Sequence, residues 1–240
     1  VEQLNIVREA GKKLLKNTPM ESAAFRTYEW MLDRYVAGSP WPSGYYNVEI
    51  ENTTSPPFII WLEGKGPTDR AQIRGQYEPE VIKKLVTYVD PSMEFWEVGG
   101  GWGYHSLALA PVVDNVVAFE AEKQRAVQIR ESAHRNQYEN VEVVQGTVGT
   151  EISLDEFSCP DVVLLDVEGW EVEVLQRSPE LLRSGPLWIV EIHEPGLQGV
   201  ERGIDPEEVY NIFEQHGYEV GELSRRKPGN FHIVAKTPHS

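Results

Sequence analysis

From about residue 78 onward, short apolar runs alternate with stretches whose apolar residues recur every three or four positions. The runs are MEFWEV (93–98), NVVAFE (115–120), VEVVQ (141–145), DVVLLD (161–166) and LWIVEIH (187–193). Brief runs rich in Val, Ile and Phe predict strands. Helical spacing marks EPEVIKKLVTYV (78–89), YHSLALA (104–110), EKQRAVQIRESAHRNQ (122–137), GWEVEVLQRSPELL (169–182) and PEEVYNIFEQHG (206–217). Strands alternating with helices predict a parallel sheet covered on both faces. The last pair, YEVGELS (218–224) and FHIVAK (231–236), is joined by the turn RRKPGN, short enough for antiparallel neighbours. The expected fold is α/β, a mostly parallel sheet with an antiparallel last strand.

The preceding region has another rhythm. Residues 1 to about 36 predict two amphipathic helices, the second carrying Phe25, Tyr28, Trp30, Met31 and Tyr35. After AGSPWPSG, the runs YYNVEIEN (45–52) and FIIWLEG (58–64) flank TTSPP and predict a hairpin. We therefore divide the chain into an extension (1–75) and a main domain (76–240). The extension suits a cap over an acceptor pocket or a homo-oligomer contact. Trp30, Tyr35, Trp41, Tyr45 and Tyr46 fit sugar stacking or ordinary packing.

Composition narrows the partners. The 240 residues carry a formal charge of −16 and a pI near 4.8, which opposes a nucleic-acid substrate and matches the surface of a halophilic, haloarchaeal proteome. No apolar run approaches the roughly 20 residues of a membrane span. The first residues mix charges with apolar positions, unlike a secretory signal, and Cys159 is the only cysteine. A cytoplasmic protein is expected.

The segment FWEVGGGWGYHS (95–106) follows the first strand of the main domain. In an open parallel sheet, ligands sit beyond the carboxyl ends of strands. There, Gly99, Gly101 and Gly103 let the backbone turn sharply and approach a ligand. A dinucleotide fingerprint needs G-x-G-x-x-G, but Tyr104 or Ser106 stands where the third glycine belongs. The pattern present, E-x-G-x-G-x-G from Glu97, is that of class I methyltransferases that bind S-adenosylmethionine. Glu120 closes the next strand, where a carboxylate can bridge two ribose hydroxyls. Gly146 and Thr147 follow the third strand and can line an adenine pocket.

At DVVLLDVEGWEVEVL the chain resembles the FkbM family of S-adenosylmethionine-dependent methyltransferases, which carry D-x-E-G-x-E at this point. The likeness covers about residues 76–195 and includes QYEPE, GGGWGYHSL, VVAFEAE, NVEVVQG, SLDEF, DVEGWE and IVEIHE. Gly100 and Gly101 stand where the family commonly has Ala-Asn, and Trp102 where a smaller apolar residue is usual. The resemblance implies a Rossmann-like class I methyltransferase sheet and methyl transfer to oxygen, often on a sugar. It also implies a cofactor pocket formed by Tyr77, Glu97, Gly99, Gly100, Gly101, Trp102, Gly103, Glu120, Ala121, Gly146, Thr147 and Asp166. The methionine carboxylate is expected on loop N–H groups, and its ammonium near Glu97 or Asp166.

Acceptor chemistry is expected at the next two strand ends. Asp166 ends DVVLLD, Glu168 opens the following helix, and Glu191 and His193 share one face of LWIVEIH. Charged groups in such a strand need partners or a cleft. A sugar hydroxyl needs a general base or a metal to lower its pKa. His193 is the expected base, oriented by Glu191 or Asp166; Asp166, Glu168 and Glu191 alternatively suit Mg²⁺. A carboxylate acceptor such as a surface-glycan uronic acid would need a cationic clamp instead, for which Arg225, Arg226 and Lys227 are the candidates. A nicotinamide-dependent oxidoreductase and a non-catalytic cofactor-binding module are the alternatives.

Overall fold

The computed structural model describes residues 42–196, 202–227 and 229–238; the predicted helices of residues 1–36, with Trp30, Tyr35 and Trp41, lie outside them, as does the Lys227 side chain. The main domain is a seven-stranded sheet of order β5-β4-β3-β6-β7-β9-β8. Its parallel part comprises β3 (Glu94–Val98), β4 (Asn115–Glu120), β5 (Val141–Gln145), β6 (Val162–Leu165) and β7 (Leu187–His193). The sequence reverses direction of travel at β3, the first strand laid down, which has β4 on one side and β6 on the other. A crevice forms where two connections leave in opposite directions, and ligands bind there.

β8 (Glu219–Lys227) and β9 (Asn230–Lys236) complete the sheet. β9 runs antiparallel to both β7 and β8, so it inserts between them. This returns the end of β8 to the carboxyl edge of β7: Lys227 faces Asn230, and Asn230 faces His193. The turn expected over 225–230 is shorter than the sequence suggests. Arg225 and Arg226 are strand residues, because cross-strand pairing persists through a bulge between Arg225 and Lys227.

Helices cover both faces. α1 (Gly66–Ile73) was not foreseen: GPTDRAQI has no apolar stripe. α2 (Pro79–Tyr88), α3 (Tyr104–Leu109), α4 (Lys123–Asn136) and α7 (Pro206–Gln215) fall within the expected segments. The predicted helix 169–182 is two helices, α5 (Glu171–Gln176) and α6 (Pro179–Ser184). Pro179 has no N–H to donate and is tolerated only in a first turn, so the chain restarts there. The first of these helices begins at Glu171, so Glu168, expected to open the helix, precedes it and adopts φ 52° in a tight turn.

The hairpin of β1 (Gly44–Val48) and β2 (Phe58–Leu62) packs on this domain. Val48, Phe58, Ile60 and Leu62 are fully buried against Ile82, Tyr104, Leu107 and Ala133. The outer edge of β2 is paired with side chains of α4: Asn136 exchanges hydrogen bonds with the Ile59 backbone (2.7 and 2.6 Å), and Ser132 Oγ accepts from Trp61 N (3.1 Å). Buried backbone groups need such partners, and these fix the hairpin's register on the helix.

Candidate active site

Gly99, Glu120, Gly146, Asp166 and His193 all stand at the carboxyl edge of the parallel strands. Gly99 has φ 93°, and a Cβ there would lie 1.7 Å from the Asp166 carbonyl oxygen. Only glycine lets these two strand ends converge. Gly101 has φ 54°, and a Cβ there would meet nothing within 4 Å, so the bare backbone leaves room on the ligand side. Gly100 and Gly103 sit close over Ile129.

Most loop amides are engaged internally, which corrects the expected use of the loop. Gly99 N and Gly100 N donate to Phe119 O (both 2.9 Å), and Gly103 N donates to Gly100 O (2.7 Å). Gly101 N donates to Glu120 Oε2 (2.7 Å), while Glu122 N donates to Glu120 Oε1 (2.7 Å). The buried carboxylate is thus held by two backbone donors at a set angle. Burial raises its pKa, and these two N–H groups oppose the shift without cancelling it.

Glu97, expected near the ammonium of the cofactor, is engaged by the start of α3. It accepts from Ser106 N (2.9 Å) and from Ser106 Oγ, and it pairs with His105 Nδ1 (3.0 Å), which fastens the start of α3 to β3. Trp102 packs at a tilt of 55° against Trp61 of the hairpin, ring centres 4.7 Å apart, with the Arg125 guanidinium 5.3 Å from its ring, so the loop is tied to the extension. Tyr77 lies edge-on to Tyr104 and beneath the Arg226 guanidinium. Ala121 is exposed beside Glu120. Gly146 N donates to Glu120 O (3.1 Å), and Thr147 N donates to Glu151 (2.8 Å).

Asp166, Glu168, Glu191 and His193 are brought together. His193 Nε2 lies 3.5 Å from Glu168 Oε2, 3.6 Å from Glu191 Oε2 and 3.8 Å from Asp166 Oδ1. Its orienting partner is neither Glu191 nor Asp166 but Glu171, whose fully buried Oε1 pairs with His193 Nδ1 at 3.0 Å and also accepts from Gly169 N. Burial depresses the imidazolium, but the bond to Glu171 and the charges of Glu191, Glu171 and Glu168 together outweigh it, and the His193 pKa ends above its ordinary value. Asp166 is pushed well above the carboxylate range by burial and then by the charges of Glu191 and Glu78. Its Oδ1 is sealed from solvent without a hydrogen-bond partner.

A second ionic group adjoins the first. Glu78, at the N-cap of α2 with φ 43°, pairs with His105 Nε2 (3.3 Å) and with Arg226 Nη1 (2.5 Å). Arg226 Nη1 also reaches Glu191 Oε1 (3.2 Å), which accepts in turn from Asn230 Nδ2 (2.7 Å). Burial opposes charge on His105, yet Glu78 and Glu97 raise its pKa to about 10. Burial likewise opposes charge on Glu78, but His105 and His232 hold its pKa well below the usual range.

Arg226 is therefore neutralised by two carboxylates. Arg225 donates from Nε (3.2 Å) and Nη2 (2.5 Å) to Glu222 and covers the Phe231 ring. The expected cationic clamp is not assembled by these two residues. Glu78, His105, Asn230 and His232 were missed as site neighbours, and Glu171, the last acid of DVEGWE, was given no role in the site. A signal existed for His105 and His232, each a buried imidazole within an apolar run, the same argument that singled out His193.

The model of the methyltransferase FkbM domain matches residues 84–220. No curated protein matches significantly. Among solved structures, the chain is similar to TYW2 of M. jannaschii, crystallised in complex with AdoMet (18% identity, 75% of this chain and 81% of that one, TM-score 0.51). Similar likenesses extend to a SAM-dependent methyltransferase from Aquifex aeolicus (18%, 71% and 93%, TM-score 0.50) and an rRNA methylase from Streptococcus thermophilus (14%, 65% and 93%, TM-score 0.50). At such identities the likeness establishes the fold.

Proposed function

The chain belongs to the FkbM family of S-adenosylmethionine-dependent methyltransferases, and we propose that it methylates a hydroxyl oxygen of a sugar or other small metabolite. The observation that carries this reading is the meeting of Asp166, Glu168, Glu191 and His193 beside the glycine loop. A site so rich in carboxylates attracts hydroxyl donors and repels an anionic acceptor. With Arg225 and Arg226 both paired to carboxylates, a uronate is the less favoured acceptor.

The residues fit the cofactor. Glu120, set by two N–H groups, would take the ribose hydroxyls; the open side of Gly101 leaves space for the nucleoside, and the unpartnered Asp166 Oδ1 faces the cationic end. When bound, S-adenosylmethionine supplies an electrophilic methyl group on sulfur. The chain must then hold the acceptor oxygen in line, an effect worth several kcal/mol, and remove its proton.

His193, the expected base, is a poor proton acceptor here: its side chain is 3% exposed, and the surrounding carboxylates favour its charged form. Glu168, with 68% of its side chain exposed and Oε2 3.5 Å from His193 Nε2, is the carboxylate with access to an acceptor hydroxyl. It takes the proton in our reading. The missing dinucleotide glycine and the family match together disfavour the nicotinamide reading.

The extension fits a cap, since Trp61 of the hairpin leans on Trp102 in the loop. Mass-spectrometric detection of S-adenosylhomocysteine across matched panels of hydroxyl and carboxylate sugars tests the proposal. Turnover is expected with hydroxyl acceptors, and turnover confined to carboxylates would overturn it.

A further inference from the structure

Two triads of donors within the described residues are close enough to share a cation: Glu78, Glu191 and His232, and Asp166, Glu191 and His193, the donor atoms of each lying within 4.8 Å of one another. The first is already served, because Arg226 Nη1 bridges Glu78 Oε1 and Glu191 Oε1. In the second, Arg226 reaches only Glu191, and at Oε1, which leaves Glu191 Oε2, Asp166 Oδ1 and His193 Nε2 to face one another.

Three features of the second triad converge. First, its nitrogen is aimed. His193 is 2% exposed, Nδ1 is engaged by the buried Glu171, and Nε2 therefore projects toward the carboxylates without any of them at ordinary hydrogen-bond distance. A carboxylate gripping the far ring nitrogen is the usual support of a metal-binding histidine, since it fixes both tautomer and ring angle.

Second, one oxygen of each acid is presented. Glu191 Oε1 is anchored by Asn230 and Arg226, which turns Oε2 toward His193; Asp166 Oδ1 is sealed from solvent and has no hydrogen-bond partner. An orphaned buried carboxylate oxygen is costly unless a ligand completes it. Third, the spacing suits coordination. Donors about 2.1 Å from one ion at tetrahedral angles are about 3.4 Å apart. The observed 3.6 and 3.8 Å from Nε2 need contraction of only a few tenths of an ångström.

The geometry points to a divalent-metal site formed by Asp166, Glu191 and His193, with Glu171 as the positioning residue and Glu168 at its open side. This donor set differs from the all-carboxylate set expected for Mg²⁺. An imidazole among the ligands favours first-row transition ions such as Mn²⁺ or Zn²⁺, which would displace the Nε2 proton on binding, and three protein ligands leave positions open. An acceptor hydroxyl occupying one would have its pKa lowered, with its proton passing to Glu168. That role rests on the O-methylation reading; the site itself does not.

The test is titration of the full chain with Mn²⁺ alone, without cofactor or acceptor, followed by electron paramagnetic resonance of the free ion, with Zn²⁺ as competitor. One site per chain is expected, displaced by Zn²⁺. Asp166→Asn, which preserves shape, and His193→Ala should each weaken Mn²⁺ at least tenfold. Glu171→Gln should weaken it about 10- to 100-fold while leaving S-adenosylhomocysteine affinity unchanged, a split that a merely structural role would not produce. Arg225→Glu should have no effect.

Circular dichroism and Tm verify that each variant is folded, and Asp166→Asn is decisive if His193→Ala unfolds. Equal Mn²⁺ binding by the wild type and Asp166→Asn, or no binding by the wild type, overturns the site. A chain that binds Mn²⁺ but methylates no hydroxyl keeps the site and defeats the proposed activity; one that methylates hydroxyls without binding any metal does the reverse.

Discussion

Gly101 N donates a 2.7 Å hydrogen bond to Glu120 Oε2, so the glycine loop after β3 and the acid at the end of β4 form one unit. The loop's amides orient the carboxylate and close the turn, and its missing side chains leave space for the nucleoside.

Glu120→Ala is accordingly expected to weaken S-adenosylhomocysteine binding by roughly 1.5–3 kcal/mol, about 10- to 150-fold, the value of hydrogen bonds to a charged group. Isothermal calorimetry measures it. An unchanged Kd would remove Glu120 from the cofactor site.

Gly99→Ala should damage the fold itself. Its Cβ would lie 1.7 Å from the Asp166 carbonyl at a backbone angle that L-residues rarely adopt. The clash and strain should cost at least about 2 kcal/mol and lower Tm by roughly 4–8 °C. A variant with wild-type Tm and cofactor affinity would contradict the packing described.

His105 makes a signed prediction about pH. Its folded pKa of about 10 lies above the ordinary 6.5, so its contribution to stability is fully present below 6.5 and is lost as pH rises through about 10. Glu78 has the opposite sign: its lowered pKa gives stability present above the ordinary carboxylate value and lost as pH falls through the folded value. Urea unfolding from pH 6 to 10.5 should show a shallower alkaline loss in His105→Gln than in the wild type. Parallel curves would mean that His105 is not held charged.

The two late arginines should separate. Arg225→Glu changes an exposed pair and should leave the acceptor KM within about twofold. Arg226→Ala strips Glu78 and Glu191 of their shared cation. With 40% of its side chain exposed, a discounted cost of roughly 2–3 kcal/mol is expected. Chemical denaturation and acceptor kinetics check both, and a large KM effect from Arg225→Glu would reinstate an anionic acceptor.

Much of the fold was legible because each buried parallel strand is a continuous apolar run; NVVAFE and LWIVEIH match β4 and β7 residue for residue. Asp166, Glu191 and His193 were legible as polar residues at the ends of such runs. The break at Pro179 was visible but was overridden by helical spacing on both sides of it. α1 has no periodic pattern to find.

What sequence could not show is pairing between distant segments. Arg226 meets Glu78 across 148 positions, and His193 meets Glu171 through Nδ1 while its strand neighbour Glu191 lies on the Nε2 side, because the fold decides which side chains face each other. The loop amides were misjudged for a related reason: their acceptors, Phe119 O and Glu120, belong to the neighbouring strand.

A crystal structure with S-adenosylhomocysteine bound is the most direct test. The ribose hydroxyls should lie on Glu120, the nucleoside over the open side of Gly101, and the sulfur toward Asp166 and His193. A nucleoside seated away from the carboxyl ends of β3 and β4, or a sulfur facing away from Asp166, would contradict the assignment of this crevice.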